Sequence, residues 1–408
     1  MIYRFGDIFN IIDGDRGVNY PKEGDFFDEG YCLFLNAGNV TKTGWSFNKI
    51  SFISKEKDSQ LRKGRIERGD TVFTTRGTIG NAAFYGNGIK YNHIRINSGM
   101  VILKAKDKQI IDDEFIYYLV TSPVAKKKIE LFCSGSAQPQ LPIKDFIKIK
   151  FNLPSLKIQK KIVSIIGSYD NLIENNNRRI RLLEQMAENL YKEWFVRFRF
   201  PGHEKAEFES GLPKGWSVKR MADFCYVTDG THDTPKPVED GIPLITGKCI
   251  SNGFIDFDVA YNISAKDHDN IKKRSGLSGG DILFSNIGTV GNCCIVDYHR
   301  EFSVKNVIIF KPNDISKTAY LYYWMLSDSM QNVFSTQTNG ASQQFVGLTF
   351  MRRYKILVPE QRILFAFGEK INPLVEQKKK LHRINQNLSR QRDLLLPRLM
   401  SGKLEVKV

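Results

Sequence analysis

The stretch GDTVFTTRGTIGNAAFY, Gly69 to Tyr85, returns 211 residues later as GDILFSNIGTVGNCCIV, Gly280 to Val296. Seven positions are identical: a Gly-Asp pair, one Phe, then Gly-Thr and Gly-Asn around a β-branched residue. The match extends outward. Upstream, IIDGDRGVNYP (Ile11 to Pro21) resembles VTDGTHDTPKP (Val227 to Pro237), and FLNAGNV (Phe34 to Val40) resembles LITGKCI (Leu244 to Ile250). Downstream, GSAQPQLPIKDFIKIKFNLP (Gly135 to Pro154) resembles GASQQFVGLTFMRRYKILVP (Gly340 to Pro359). The offset drifts between 216 and 205, as expected where loops vary over a kept scaffold. The chain is a tandem duplication of roughly 200 residues per copy, a duplicated domain rather than a solenoid.

Each copy opens with mixed α/β sequence. Short β-branched or aromatic runs such as TVFTT, MVILK, ILFSN and NVIIF, punctuated by Gly, Asn and Asp, predict strands. DDEFIYYLVTSP and KTAYLYYWMLSD predict helices whose Tyr and Trp belong to a core. Each copy closes with helix. Residues 158 to 190 and 364 to 395 both carry apolar residues at 4-3 spacing with polar interruptions, which is heptad periodicity. The spacing puts Ile162, Ile165, Leu172, Leu183 and Leu190 on one stripe and Leu374, Leu381, Leu388 and Leu395 on the other. These stripes outlast the need of one globular domain, so the two long helices are expected to pack on each other. Pro373 predicts a break in the second helical stretch, Gly167 and Ser168 a break in the first, and Pro397 the end of the second long helix. A first long helix from Tyr169 to Arg197 would span ~43 Å at 1.5 Å per residue. FRFPGHEKAEFESGLPKGW, Phe198 to Trp216, reads as an exposed connection.

The 408 residues suffice for two or three domains, and 41% hydrophobic content suffices for real cores. The net charge of +16 suits a polyanion. No run approaches the ~18 apolar residues of a spanning helix. No charged segment followed by a long apolar one opens the chain. The six cysteines include no C-x-x-C pair, which argues against a zinc ribbon or disulfide framework. They read as buried small hydrophobes in a reduced cytoplasm.

Catalytic patterns are weak. There is no Asn/Asp-Pro-Pro-Tyr/Phe element, and NPLV at Asn372 lacks the aromatic. GIPLITGKC, Gly241 to Cys249, has one residue too many between its glycines for a phosphate-binding loop, and Cys replaces the Ser/Thr that would hold magnesium. His232 with Asp233, and His268 between Asp267 and Asp269, lack a partner at helical ligand spacing. The expectation is no catalytic residue, no bound cofactor and no metal.

DNA contacts are better supplied. Phosphates need Lys, Arg and backbone N–H groups; base edges need Arg, Asn and Gln. The turn after GDTVF presents Thr74, Thr75 and Arg76, where the turn after GDILF presents Ser285 and Asn286. Further candidates are Arg16, Asn92, His93, Arg95, Asn97, Gln138 and Gln140 in the first copy. In the second they are His232, Thr234, Lys236, Lys248, Lys305, Asn306, Gln343 and Gln344. The scaffold is kept while the presented side chains change, as expected of one frame that reads two different half-sites.

The whole chain resembles the specificity subunits of type I restriction-modification systems. The resemblance rests on the duplication, DGTHDTPK at Asp229 to Lys236, GTIGN and GTVGN, FRFPGHE before PKGW, and the LLLPRLMSGKL tail. It implies an α/β (mixed α+β) fold: two pseudo-symmetric globular target-recognition domains separated by two long helices in an antiparallel coiled coil. In those terms residues 1–154 and 214–358 are the recognition domains. Residues 155–200 and 359–408 are the helical regions, and 201–213 the linker. It also implies a non-catalytic subunit that reads a split, asymmetric target on double-stranded DNA and docks two methyltransferase subunits, which restriction subunits join. S-adenosylmethionine is then expected in the methyltransferase partner, and ATP and magnesium in the restriction partner. The ~43 Å helix suits half-sites about one DNA turn, ~34–36 Å, apart. Alternatives are the recognition subunit of a system with a fused methyltransferase-nuclease partner, a stand-alone DNA-modifying enzyme, or a protein-interaction scaffold.

Overall fold

A computed structural model describes residues 1–133, 140–297, 300–338 and 345–406. The chain forms two units. The first comprises Met1–Glu174 with Asn385–Val408, and the second Asn175–Ile384.

The first unit is built on a four-stranded antiparallel sheet. Its strands are β1 (Phe9–Asp13), β4 (Thr71–Thr74), β5 (Ala82–Phe84) and β7 (Met100–Ala105), in the order β1-β7-β4-β5. A three-stranded sheet lies on it, with β2 (Cys32–Leu35) between β3 (Ser51–Ile53), antiparallel, and β6 (Ile94–Ile96), parallel. All of β4 and Met100–Leu103 of β7 are buried, so these central strands are covered on both faces. Val72, Met100 and Ile102 join Leu33, Leu35, Ile94 and Ile96 between the sheets. Phe73, Val101 and Leu103, pointing the other way, pack on helices. Helix α1 (Lys55–Gln60) is capped by the Ser54 hydroxyl, and α2 (Asp113–Thr121) by the Asp112 carboxylate.

The second unit repeats this frame element for element. Strands β8 (Tyr226–Asp229), β11 (Ile282–Ser285), β12 (Cys293–Ile295) and β14 (Val307–Lys311) form a sheet in the order β8-β14-β11-β12. Strand β9 (Ile242–Ile245) lies between β10 (Tyr261–Ile263) and β13 (Ser303–Val304), with the same mixed pairing. The helix after β10, α4 (Ala265–Ser275), starts at Ser264, and α5 (Ile315–Leu326) starts at Asp314. These caps match Ser54 and Asp112.

Two long helices complete the units: α3 (Leu156–Tyr191) and α6 (Gln361–Met400). Each contributes to both units. In the first, Ile162 and Ile166 near the start of α3 share a core with Leu396, Leu399 and Met400 at the end of α6. In the second, Ala187 and Tyr191 near the end of α3 share a core with Leu364, Phe367, Ile371 and Val375 near the start of α6. Within each unit the helices therefore run antiparallel.

Three expectations about these helices are corrected. Helix α3 does not begin at Tyr169; it passes through Gly167 and Ser168 unbroken and ends in a π turn, Lys192–Val196. Gly167 is buried, and a Cβ there would meet the Tyr118 hydroxyl and Glu114 only at ordinary contact distance, 3.5 Å. Pro373 does not split α6. It stands on the exposed side, as does Glu369, whose carbonyl loses its helical partner to the proline. Buried Phe367, Ile371 and Val375 hold the opposite side in place. Pro397 lies within α6, which ends at Met400.

The stripe on α3 also differs. Leu172 is 51% exposed and Met186 is exposed, whereas Ile166 and Ala187 are fully buried. Alternate seam positions fall one residue later than the 4-3 reading put them. Ile162 is buried, and Ile165, Leu183 and Leu190 are partly so. On α6 Leu381 is buried and Leu374, Leu388 and Leu395 are partly buried. Polar pairs interrupt the seam: Arg392 with Asp170 at 2.7 Å, Asn385 donating to the Ile173 carbonyl at 3.5 Å, and Lys378 with Glu184.

Candidate nucleic-acid interface

Five of the seven repeated identities turn out to hold the frame. Asp70 accepts the Glu67 N–H at 2.7 Å, and Asp281 accepts that of Ser278 at 2.8 Å. Each also meets a lysine from the neighbouring strand, Lys104 at 3.6 Å and Lys311 at 2.5 Å. Burial raises the Asp70 carboxyl to about 6, against the pull of the Glu67 N–H and Lys104. Phe73 and Phe284 are fully buried. Asn81 donates to the Val40 carbonyl at 3.0 Å and Asn292 to that of Ile250 at 2.9 Å, tying the turn to the strand beside it. Gly77, Gly80, Gly288 and Gly291 have φ of +72° to +101°, which side chains rarely adopt.

On that frame, several expected DNA-contacting residues face inward and are corrected here. Thr74 is buried and donates to the carbonyls of Thr78 and, at 3.2 Å, Asn81. Thr75 is buried and donates to Gly99 at 3.2 Å. Ser285 and Asn286 occupy the same places; Ser285 lies 3.4 Å from the Thr289 hydroxyl, and Asn286 donates to Val346 at 3.2 Å. Arg95 is buried and bonds Asp58 Oδ1 at 2.5 Å and the carbonyls of Lys63, Asp58 and Leu61. It locks α1 to β6. In the second unit His268 and Ser303 make the corresponding link, α4 to β13, at 2.9 Å.

Other candidates reach the surface. Arg76 at the turn tip is exposed and bridges to exposed Gln140; in the second unit Ile287 bridges to Phe345. Asn92 is exposed and accepts from Arg68 at 3.2 Å. Half-buried His93 stacks on Tyr31 with ring centroids 4.2 Å apart. Asn97 accepts the Gly99 N–H at 3.0 Å. Arg16 is exposed and pairs with Asp13 at 3.0 Å. Beside it, the Gly17 N–H first and those of Arg62 and Lys63 next hold the Asp15 carboxyl below its ordinary value. In the second unit Thr234, Lys236 and Lys248 are exposed, and Lys305 donates to the Thr234 hydroxyl. His232 sits between Asp229 and Asn306, 2.9 Å from each. Gln138, Gln343 and Gln344 lie outside the described residues.

Sequence reading missed Arg274, which pairs with Asp229 at 2.5 Å. It stands in the KKRS run that ends α4 and reads there as part of a solvated helix face. Lys378 lies near the middle of α6. It is buried against Glu184, and burial pushes its ammonium down from the ordinary lysine value. All six cysteines are free. Five are buried, and burial pushes the Cys294 thiol up to about 12. Among the described residues no three His, Cys, Asp or Glu side chains are grouped to hold a metal ion. Nor is any helix of the described residues long and apolar enough to cross a membrane.

Known proteins share this architecture. The chain is 25% identical over 356 residues to the type I restriction enzyme MjaIX specificity subunit of Methanocaldococcus jannaschii, covering 83% of this chain and 78% of that one. It is 22% identical to the HindI specificity subunit of Haemophilus influenzae, covering 96% and 98% of the two chains. The crystal structure of a type I restriction-modification S subunit from M. genitalium superposes with a TM-score of 0.58 at 14% identity, covering 98% and 95% of the chains, and so shares the fold. The profile of the type I restriction modification DNA specificity domain matches twice, at residues 1–185 and 213–386, one match to each copy of the repeat. The chain belongs to the type I restriction-modification DNA specificity family and carries its domain in duplicate.

Proposed function

We propose that the chain is the non-catalytic specificity subunit of a type I restriction-modification complex, reading an asymmetric bipartite target on double-stranded DNA. One observation carries this reading. The two units keep identical frame residues while the side chains that reach the surface at matching places change chemistry, exposed Arg76 against half-buried Ile287, and half-buried Asn97 against half-buried Lys305. The net charge of +16 supplies the attraction to phosphate. The paired helices dock two methyltransferase subunits, which restriction subunits join, in the cytoplasm. S-adenosylmethionine belongs to the methyltransferase partner and ATP with magnesium to the restriction partner. The candidates Arg16, Arg76, Asn92, His93, Asn97, Gln140, Thr234, Lys236, Lys248 and Lys305 line the two reading surfaces.

The test is to co-express the chain with its neighbouring methyltransferase subunit in a methylation-free host and map modified bases genome-wide. The expected result is a split, asymmetric motif with one modified adenine in each half. Modification by this chain without a partner would overturn the non-catalytic reading. A stable complex that leaves DNA unmodified would overturn the specificity reading.

A further inference from the structure

We propose that Arg16 and Arg274 are the matched phosphate-contacting cations of the two halves, each mounted on the aspartate that ends the first strand of its sheet. The inference rests on the DNA-binding function proposed above. Asp13 and Asp229 hold the same place, since Val101 on β7 is the register partner of Asp13 and Ile308 on β14 that of Asp229. The following glycine is pressed against backbone in both. A Cβ on Gly14 would lie 2.2 Å from the Asn97 carbonyl oxygen, and one on Gly230 2.2 Å from that of Val304. The strand end, and with it the carboxylate, is fixed.

In the first half the mount carries Arg16. It pairs with Asp13 at 3.0 Å and donates to the Ser98 carbonyl at 3.2 Å. Both bonds use Nη2, so among the described residues Nε and Nη1 are left for another acceptor. The Arg16 side chain is 48% exposed above a carboxylate that is 24% exposed.

In the second half the residue three places after the aspartate is His232, and both of its ring nitrogens are engaged, by Asp229 and Asn306. The cation comes instead from α4. Arg274 Nη2 meets Asp229 Oδ1 at 2.5 Å, with its side chain 55% exposed above a carboxylate that is 10% exposed. The connection after α1 in the first half carries Gly64, whose added Cβ would lie 3.3 Å from Gly14 Cα. No side chain reaches the mount from that glycine. The guanidinium is thus kept while its origin in the chain has moved.

A base-reading position changes chemistry when two halves read different sequences. A guanidinium held on a carboxylate in both halves answers to something that both duplex segments share, and that is phosphate. The aspartate orients the fork, and the free donors match a phosphate oxygen.

The test is a salt titration of duplex binding by the full chain with its methyltransferase subunit, together with the modification map. Arg16→Ala and Arg274→Ala should each weaken binding to target and scrambled duplexes alike. Each should lower the slope of log affinity against log salt by about 0.9. Arg16→Lys and Arg274→Lys should restore the slope, and the modified motif should stay the same in all four. Relaxation of one base position in one half would make that arginine a base reader and overturn the inference. An unchanged slope in both alanine variants would overturn it as well. Absence of salt-dependent binding by the unaltered complex would instead sink the DNA-reading function itself.

Discussion

Thr74 and Ser285 illustrate what one residue's identity conveys and what it conceals. Both follow the repeated Phe, both are polar, and both differ between the copies, so they read as presented groups. In the fold each ends a strand buried on both faces, with its polar group turned back toward its own turn. A buried hydroxyl must find a partner, and the nearest is in its own turn, backbone carbonyls for Thr74 and the Thr289 hydroxyl for Ser285. The identities Gly-Asp, Phe and Gly-Asn were readable as a frame because each has a fixed structural task. Which neighbouring polar residue faces outward depends on a second sheet far away in sequence. Arg95 was misread for the same reason, since Asp58, the partner that buries it, lies on another element. Asp70 gives a prediction at this scale. Its folded value of about 6 lies above the ordinary 3.8. A carboxyl raised in the folded state contributes most below about pH 4 and loses that contribution as pH rises through 6. Asp70→Asn cannot ionise. Chemical denaturation should therefore show it gaining stability relative to the unaltered protein between pH 4 and pH 7. A difference that is constant across this range would contradict the account.

At the scale of elements, the helical stripes were readable as stripes but not as contacts. The buried positions Gln159, Ile162, Ile166, Asn176 and Ala187 keep the seven-residue repeat, so a 4-3 reading begun one residue early, at Ile158, lands beside the seam at every second step. Ile166→Glu should destabilise the protein by more than about 3 kcal/mol in urea denaturation, because the charge enters a closed core. Leu172→Glu should change stability by no more than about 0.5 kcal/mol. Equal effects would place the seam elsewhere. Pro373 was misjudged because a proline's cost depends on which side of the helix loses its bond, and on what holds the other side. The Lys378–Glu184 pair, buried on its lysine side, gives a second test. Lys378→Ala leaves the Glu184 carboxylate, 21% exposed, without its cation and should cost about 1–3 kcal/mol. Replacing both residues with methionine should recover most of that loss. A double variant as unstable as the single one would mean that the pair itself is the source of the stability.

For the whole molecule, duplication, fold class and family were all readable in the sequence, because a repeat is a comparison that the chain makes with itself. The positions that differ between equivalent frames are those free to set specificity. Exchanging residues 1–150 for the matching region of a relative should therefore change one half of the modified motif and leave the other intact. A map with both halves altered would show that the units do not read independently. Exchange has to respect one constraint: the core of the first unit includes Leu396, Leu399 and Met400.

That constraint also sets an order in time. On the ribosome, residues 175–384 are all synthesised before the segment that seals the first unit. The half of the protein translated first is thus the half that closes last. Until Met400 emerges, Ile162 and Ile166 face an incomplete core, and a transcript cut short after Ile384, once the second unit is complete, would leave the earlier-made domain, not the later one, open to proteolysis.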